Sequence, residues 1–459
     1  MRAFVEALRT GAWLTRERVR LVALAVLAAS AVGLGWLVAT SDGLNDFRGR
    51  PLGTDFANVY AAGTYVLDGR PALPFDSPSQ HTREKEIFGA ETPFYGWHYP
   101  PFFLFVATPL ALMPYLLALA VWQGVTFALY LWAIFAILSA SSWPGIAVQG
   151  TASLRSPMSR PSTSSSEQVQ QGVDARHGAG HDGGEGSCSG RLWLLLAAAY
   201  PAVFVNLGHG HNGFLTAALL GGALVQLDRR PWLAGVLFGL LAYKPQFGLM
   251  IPLVLAVTGR WRTFAAAGAT VAALLLAATL AFGVDVWPAF LEGARFTRLV
   301  VLEAGNTGWH KIQSVFAWVR MWGGSVALAY SVQAAVTVAV AGVLAWLWRS
   351  KADFALKAAA LAIAALLATP YSLDYDLMVL APAIAFLAAY GLTHGFRPWE
   401  ASALAILWLA PLVARSFAQL TLIPVGAPAM LLVFGLILSR AMAESGLSPW
   451  WRFAKRAPK

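Results

Sequence analysis

Charge is scarce in this chain. Only 12% of its 459 residues are Asp, Glu, Lys or Arg, while 58% are hydrophobic. A soluble domain carries about 25% charged residues to coat its surface, so an ordinary soluble fold is excluded. Cysteine is scarcer still: Cys188 stands alone, which rules out an intramolecular disulfide and any cysteine-based metal cluster. Charge-free stretches, by contrast, are long and recur, as in Leu21–Val38, Leu192–Val205, Val271–Phe282 and Ala358–Ala368. A lipid-spanning helix needs about 20 mostly apolar residues. The expected fold is therefore all-α, a polytopic integral membrane protein.

The net charge of +10 would suggest nucleic acid in a soluble protein. Here it fits the excess of Lys and Arg that cytoplasmic loops carry, and no nucleic-acid partner is expected. The first apolar run follows Arg16, Arg18 and Arg20 and is not followed by a small-residue cleavage pattern, so it reads as a retained helix rather than a removed leader.

Composition divides the chain into 1–139, a Ser/Gly/Gln/His-rich linker at 140–190, 191–440, and a basic tail at 441–459. The linker lacks core-forming residues and reads as disordered and cytoplasmic; His177, His181 and Cys188 lie in it. Placing basic loops inside predicts spans at Val19–Thr40, Tyr115–Leu138, Arg191–Leu207, Asn212–Gln226, Trp232–Tyr243 and Phe247–Val257. Further spans follow at Phe264–Phe282, Val326–Trp348, Phe354–Ala368, Asp376–Ala389, Ala401–Val413 and Ile423–Leu438. That makes about twelve transmembrane helices, with both termini inside. Pro100–Pro114 is short and aromatic and reads as interfacial or re-entrant. Lys244-Pro245-Gln246 divides one apolar run into two short helices, which avoids a lysine at mid-bilayer.

This threading puts the unusual polar residues on the outer side. Asp55 and His98 fall in the first outer loop, then His209, His211 and Asn212, then Lys244 and Gln246. Later loops contribute His310 and Lys311, then Tyr371, Asp374 and Asp376, and finally Arg415. A transporter would place such groups near mid-bilayer between repeated halves. A one-sided set suits an enzyme working at the membrane surface on a lipid-borne substrate. Lys244 suits a phosphate contact or a snorkelling lysine, and His310, Lys311 and Arg415 suit the same anion. His209 and His211, beside glycines, suit sugar hydroxyls or phosphate. Asp374 and Asp376 suit sugar binding or helix capping, and the outer aromatics suit sugar stacking or an interfacial belt.

Several short motifs, in order, resemble the C-type (GT-C) membrane glycosyltransferases, most closely glycosyltransferase family 87. They are Thr54-Asp55-Phe56, Tyr60-Ala61-Ala62-Gly63, Asp68-Gly69, Tyr99-Pro100-Pro101-Phe102 with Pro109-Leu110, Gly208-His209-Gly210-His211-Asn212, Lys244-Pro245-Gln246 and Thr369-Pro370-Tyr371-Ser372. The resemblance spans nearly the whole chain apart from the linker. Two stretches depart from the family pattern: the Gly-His pairs, where Gly-Gln is common, and Ser372-Leu373-Asp374-Tyr375-Asp376, where a histidine-bearing motif is common. The resemblance implies a GT-C fold with juxtamembrane helices in the first outer loop. It implies transfer of a hexose, mannose in that family, from a polyprenyl-phosphate donor to a lipid or glycan acceptor, without metal or other cofactor. Asp55 would be the general base, with Lys244, His310, Lys311 and Arg415 on the donor phosphate. His98, His209, His211, Asn212, Gln246, Tyr371, Asp374 and Asp376 would contact sugar or acceptor. The setting would be a bacterial inner membrane, the active site facing the periplasm. The bland reading of Asp55 is an N-cap, and the rival function is a flippase or transporter of lipid-linked sugars.

Overall fold

The computed structural model describes residues 2–140 and 192–445. The linker, with His177, His181 and Cys188, and the tail from 446 onward lie outside the described residues. The chain is an all-α polytopic membrane protein.

The short α1 (Arg2–Thr10) precedes α2 (Arg16–Ala39). Thr15 starts α2 by accepting the Arg18 N–H at 3.3 Å, the usual side-chain cap. The stretch after α2, expected as the first outer loop, builds α3 (Thr54–Leu67) and α4 (Ser77–Phe88), helices of the kind expected there. The Pro100–Pro114 stretch becomes α5 (Leu104–Ala111) after a single 3-10 turn, and α6 (Tyr115–Ala140) runs back. The expected span Arg191–Leu207 is bent by 43° into α7 (Leu192–Ala198) and α8 (Pro201–His209). Its cause is Pro201, which starts α8 and disfavours helix at the residue before it.

Next come α9 (Gly213–Gln226), α10 (Pro231–Leu240), α11 (Met250–Val257) and α12 (Trp261–Phe282). Lys244 sits in the turn between α10 and α11, as the proline predicts. Gly235 and Gly239, four apart, let α10 lie directly on α12: a Cβ there would come within 2.5 Å of Thr263 O and of Thr270 Cβ respectively. Small residues at this spacing are the common device for close helix approach in membranes. The 283–324 stretch, expected as an outer loop, folds into α13 (Val286–Phe296), a π-helical turn at Thr297–Glu303 and α14 (Val315–Met321). The chain ends with α15 (Val326–Arg349), α16 (Phe354–Leu367), α17 (Leu380–His394), α18 (Glu400–Thr421) and α19 (Gly426–Glu444).

Among the described residues, seven helices are long and apolar enough to cross a membrane, eight if the bent pair counts as one span. The expected spans Asn212–Gln226, Trp232–Tyr243, Phe247–Val257 and Phe354–Ala368 correspond to apolar helices at Gly213–Gln226, Pro231–Tyr243, Pro245–Val257 and Phe354–Leu367, which are too short to be among those seven. Burial orders the bundle. α16 is enclosed along nearly its whole length and α9 likewise, whereas α2 and α12 bury few residues and carry many of the exposed large apolar side chains. That surface is what a bilayer covers.

Candidate functional site at one end of the helices

Gly53, with φ of +71°, turns the chain into α3, and a Cβ there would meet Leu119 at 2.8 Å. Because Gly53 occupies the N-cap position, Asp55 lies inside the first turn rather than capping it. Its Oδ2 is sealed from solvent and has no hydrogen-bond partner among the described residues. Burial pushes the Asp55 carboxyl above its usual range; His209 opposes this, Asp374 reinforces it, and Lys311 and Arg415 oppose it. A buried, unpaired carboxylate beside cations is a base strengthened by its setting.

Gly210, at φ of +63°, ends α8, and a Cβ there would strike Phe56 Cβ at 2.6 Å. This turn sends the two flanking histidines different ways. His209 Nδ1 is 2.7 Å from Thr54 Oγ1, and its Nε2 is 3.5 Å from Arg415 Nη2. Arg415 in turn donates Nε–H to Asp374 Oδ2 at 2.7 Å. His211 instead stacks on Tyr375, ring centroids 3.6 Å apart. The neighbouring Asn212 amide is buried, and among the described residues neither of its polar atoms has a hydrogen-bond partner.

Lys244 reaches Asp376, 2.6 Å from Nζ to Oδ1, with both side chains almost fully buried. Asp376 Oδ2 also accepts the Leu373 N–H at 2.9 Å. Lys311 differs: half-buried, it forms no ion pair among the described residues, and burial and Arg415 lower its pKa. It is held in place by backbone pairing of Ile312 with Leu373 and of Gln313 N with Ser372 O at 2.7 Å.

Asp55, His209, Lys311, Asp374 and Arg415 thus share one electrostatic neighbourhood, next to Tyr371, Asp376 and Lys244. His310 lies beside Lys311 and Arg415. His98 is engaged elsewhere, its Nδ1 2.8 Å from Thr297 Oγ1, and Gln246 is half-buried in the Lys244 turn without a side-chain hydrogen bond among the described residues. Among the described residues no group of three or more His, Cys, Asp or Glu is arranged around a common point for a metal ion.

A cleft of about 420 Å³ opens beside this group. Leu37, Phe204, Val205 and Leu412 are among its apolar lining residues; its polar lining is Asp46, Arg48, Arg50, Thr54, His209, Asp374 and Arg415. Arg48 and Arg50 escape a reading by motif because an Arg-Gly-Arg in a loop looks like ordinary surface. Only the fold carries them, with Asp46 clamping Arg50 at 2.8 Å, to the cleft.

The profile of glycosyltransferase family 87 matches residues 97–370. The chain belongs to glycosyltransferase family 87. No curated protein and no solved structure gave a significant match. The family 87 match takes in His98, His209, His211, Asn212, Lys244, Gln246, His310 and Lys311. Asp55, Tyr371, Asp374, Asp376 and Arg415 lie outside it and join the group through the fold. The chain is a membrane glycosyltransferase.

Proposed function

We propose that this enzyme transfers a hexose, mannose in the first instance, from a polyprenyl-phosphate donor to an acceptor hydroxyl. The reaction takes place at the outer face of a bacterial inner membrane. The observation that carries this reading is the unpartnered Asp55 Oδ2, in the field of Lys311 and Arg415 and one residue from Thr54, which with His209, Asp374 and Arg415 lines a cleft that also has apolar lining. An aqueous sugar nucleotide has no use for that apolar lining, whereas a lipid phosphate needs both kinds.

In the proposed reaction Asp55 takes the proton from the acceptor hydroxyl. The acceptor oxygen then bonds to the anomeric carbon from the face opposite the phosphate. The bond from that carbon to the phosphate oxygen breaks, its electron pair leaves with polyprenyl phosphate, and configuration inverts. Lys311, Arg415, Arg48 and Arg50 meet the charge on the leaving group. Asp374 aims Arg415. Lys244 is paired with Asp376 and buried, whereas Arg50 and Arg415, also paired, keep 41% and 36% of their side chains exposed, so Lys244 contributes to the shape of the site more than to the phosphate.

The test compares wild type with Asp55→Asn in nanodiscs, supplied with radiolabelled polyprenyl-phosphate mannose and a membrane-lipid extract as acceptor pool. Transfer by wild type and a loss of about 100-fold or more in the mutant is expected for a removed general base. Equal transfer by both would sink Asp55 as the base. No transfer by wild type with this or other polyprenyl-phosphate sugars would favour the flippase reading.

A further inference from the structure

Donor and acceptor chemistry fixes where the protons lie along one edge of the cleft. A guanidinium only donates, so across the 3.5 Å contact with Arg415 Nη2 the lone pair belongs to His209 Nε2. A neutral imidazole has a single N–H, and with Nε2 accepting, that N–H is on Nδ1. Nδ1 then donates to Thr54 Oγ1 at 2.7 Å. The Thr54 hydroxyl keeps its own proton, and Oγ1 has no second partner among the described residues.

Asp374, Arg415, His209 and Thr54 are thus joined by three hydrogen bonds, and all four residues line the cleft. Asp374 holds Arg415 through Nε and His209 holds it through Nη2. The remaining N–H groups of the guanidinium are left for a ligand. The two carboxylates in the lining are already engaged: Asp46 by Arg50 at 2.8 Å and Asp374 by Arg415 at 2.7 Å. What the lining offers is therefore donors, a hydroxyl beside guanidinium groups, and these suit an anion with several acceptor oxygens.

Thr54 and Asp55 are consecutive at the start of α3, so their side chains leave the helix about 100° apart. Thr54 lines the cleft and Asp55 is not among its lining residues. An inverting displacement needs that separation, with the base on one side of the anomeric carbon and the phosphate on the other. We infer that the Thr54 hydroxyl binds a phosphate oxygen of the lipid donor. His209 is the positioning residue that orients Thr54 and Arg415 for it, rather than a ligand of the sugar. The inference rests on the reading of this cleft as the site of a polyprenyl-phosphate donor.

The experiment measures binding of labelled polyprenyl phosphate, and of uncharged polyprenol, to the full chain in nanodiscs. Thr54→Val removes the hydroxyl at nearly constant shape, and His209→Leu removes both ring nitrogens. Each should weaken polyprenyl phosphate binding by about 10-fold, the size of one hydrogen bond to a charged group. Polyprenol binding should stay within about 2-fold of wild type. Thr54→Ser, and His209→Gln with an amide that both accepts and donates, should recover most of the affinity. Because the two residues act in series, the double variant should lose less than the product of the single losses. Wild-type affinity in Thr54→Val, an equal loss for polyprenol, or a His209→Gln protein as weak as His209→Leu would overturn the inference. So would a wild type that binds both lipids alike. Sugar transfer by wild type is scored separately: its absence removes the transferase reading, whereas the binding series needs no turnover.

Discussion

At the scale of single residues, two lysines that look alike in sequence have different fates. Lys244 is buried against Asp376, and a buried charge stripped of its partner is costly, about 3–5 kcal/mol. Lys244→Ala should therefore lower the apparent melting temperature markedly, and the double variant Lys244→Met with Asp376→Leu should recover much of the loss. Lys311→Ala should leave stability nearly unchanged and raise the donor half-saturation. A thermal-shift series on the four proteins checks this, and equal melting temperatures for Lys244→Ala and Lys311→Ala would refute it. That Lys244 sits in a turn between two short helices was legible from Pro245 and from the charges flanking them. The partner of Lys244 was not, because nothing in the sequence pairs positions so far apart. Motif alone singles out Asp55; that it is no cap follows only from the Gly53 backbone.

At the scale of elements, α4 and the segment after it carry two buried titratable groups that pull in opposite senses. Glu84, fully buried, accepts the N–H groups of Tyr95 and Gly96 at 3.1 and 3.3 Å. Burial raises it from 4.5 to about 7. The stability it contributes is complete below the unfolded value and is lost as pH rises through 7. Burial lowers His98 from 6.5 to about 4. Its contribution is complete above 6.5 and is lost as pH falls through 4. Between 4.5 and 6.5 the two offset each other. Melting curves of Glu84→Gln and His98→Asn against wild type should separate them. The Glu84→Gln minus wild-type difference should climb as pH rises, and the His98→Asn difference should climb as pH falls. Two flat difference curves would dispose of both assignments. The helices themselves were largely legible, because apolar run length and proline position set their ends. The α7–α8 bend and the helices in the 283–324 stretch were not, since a 3.6-residue period is weak in short segments.

At the scale of the whole molecule, sidedness is the central claim, and the lone cysteine makes it measurable. With Cys188→Ser as background, Asn306→Cys in the loop before Lys311 and His394→Cys at the end of α17 both place an exposed thiol. A membrane-impermeant maleimide on intact spheroplasts should label the first, and the second only after permeabilisation. The reverse pattern would invert the topology and put the site in the cytoplasm.

The helix α2 bears on the same question of access. It buries a single residue, Ala23, while its outer end supplies Leu37 to the wall of the cleft. At its inner end the preceding chain is pinned to α18: Trp13 Nε1 donates to Ser402 Oγ at 2.8 Å and Trp399 N to Arg9 O at 2.7 Å. Under the proposed function, a chain-bearing donor entering the cleft from the membrane would meet α2 first, and drawing that helix aside would uncover little of the interior beyond the seam where Gly33 lies against Phe204 of α8.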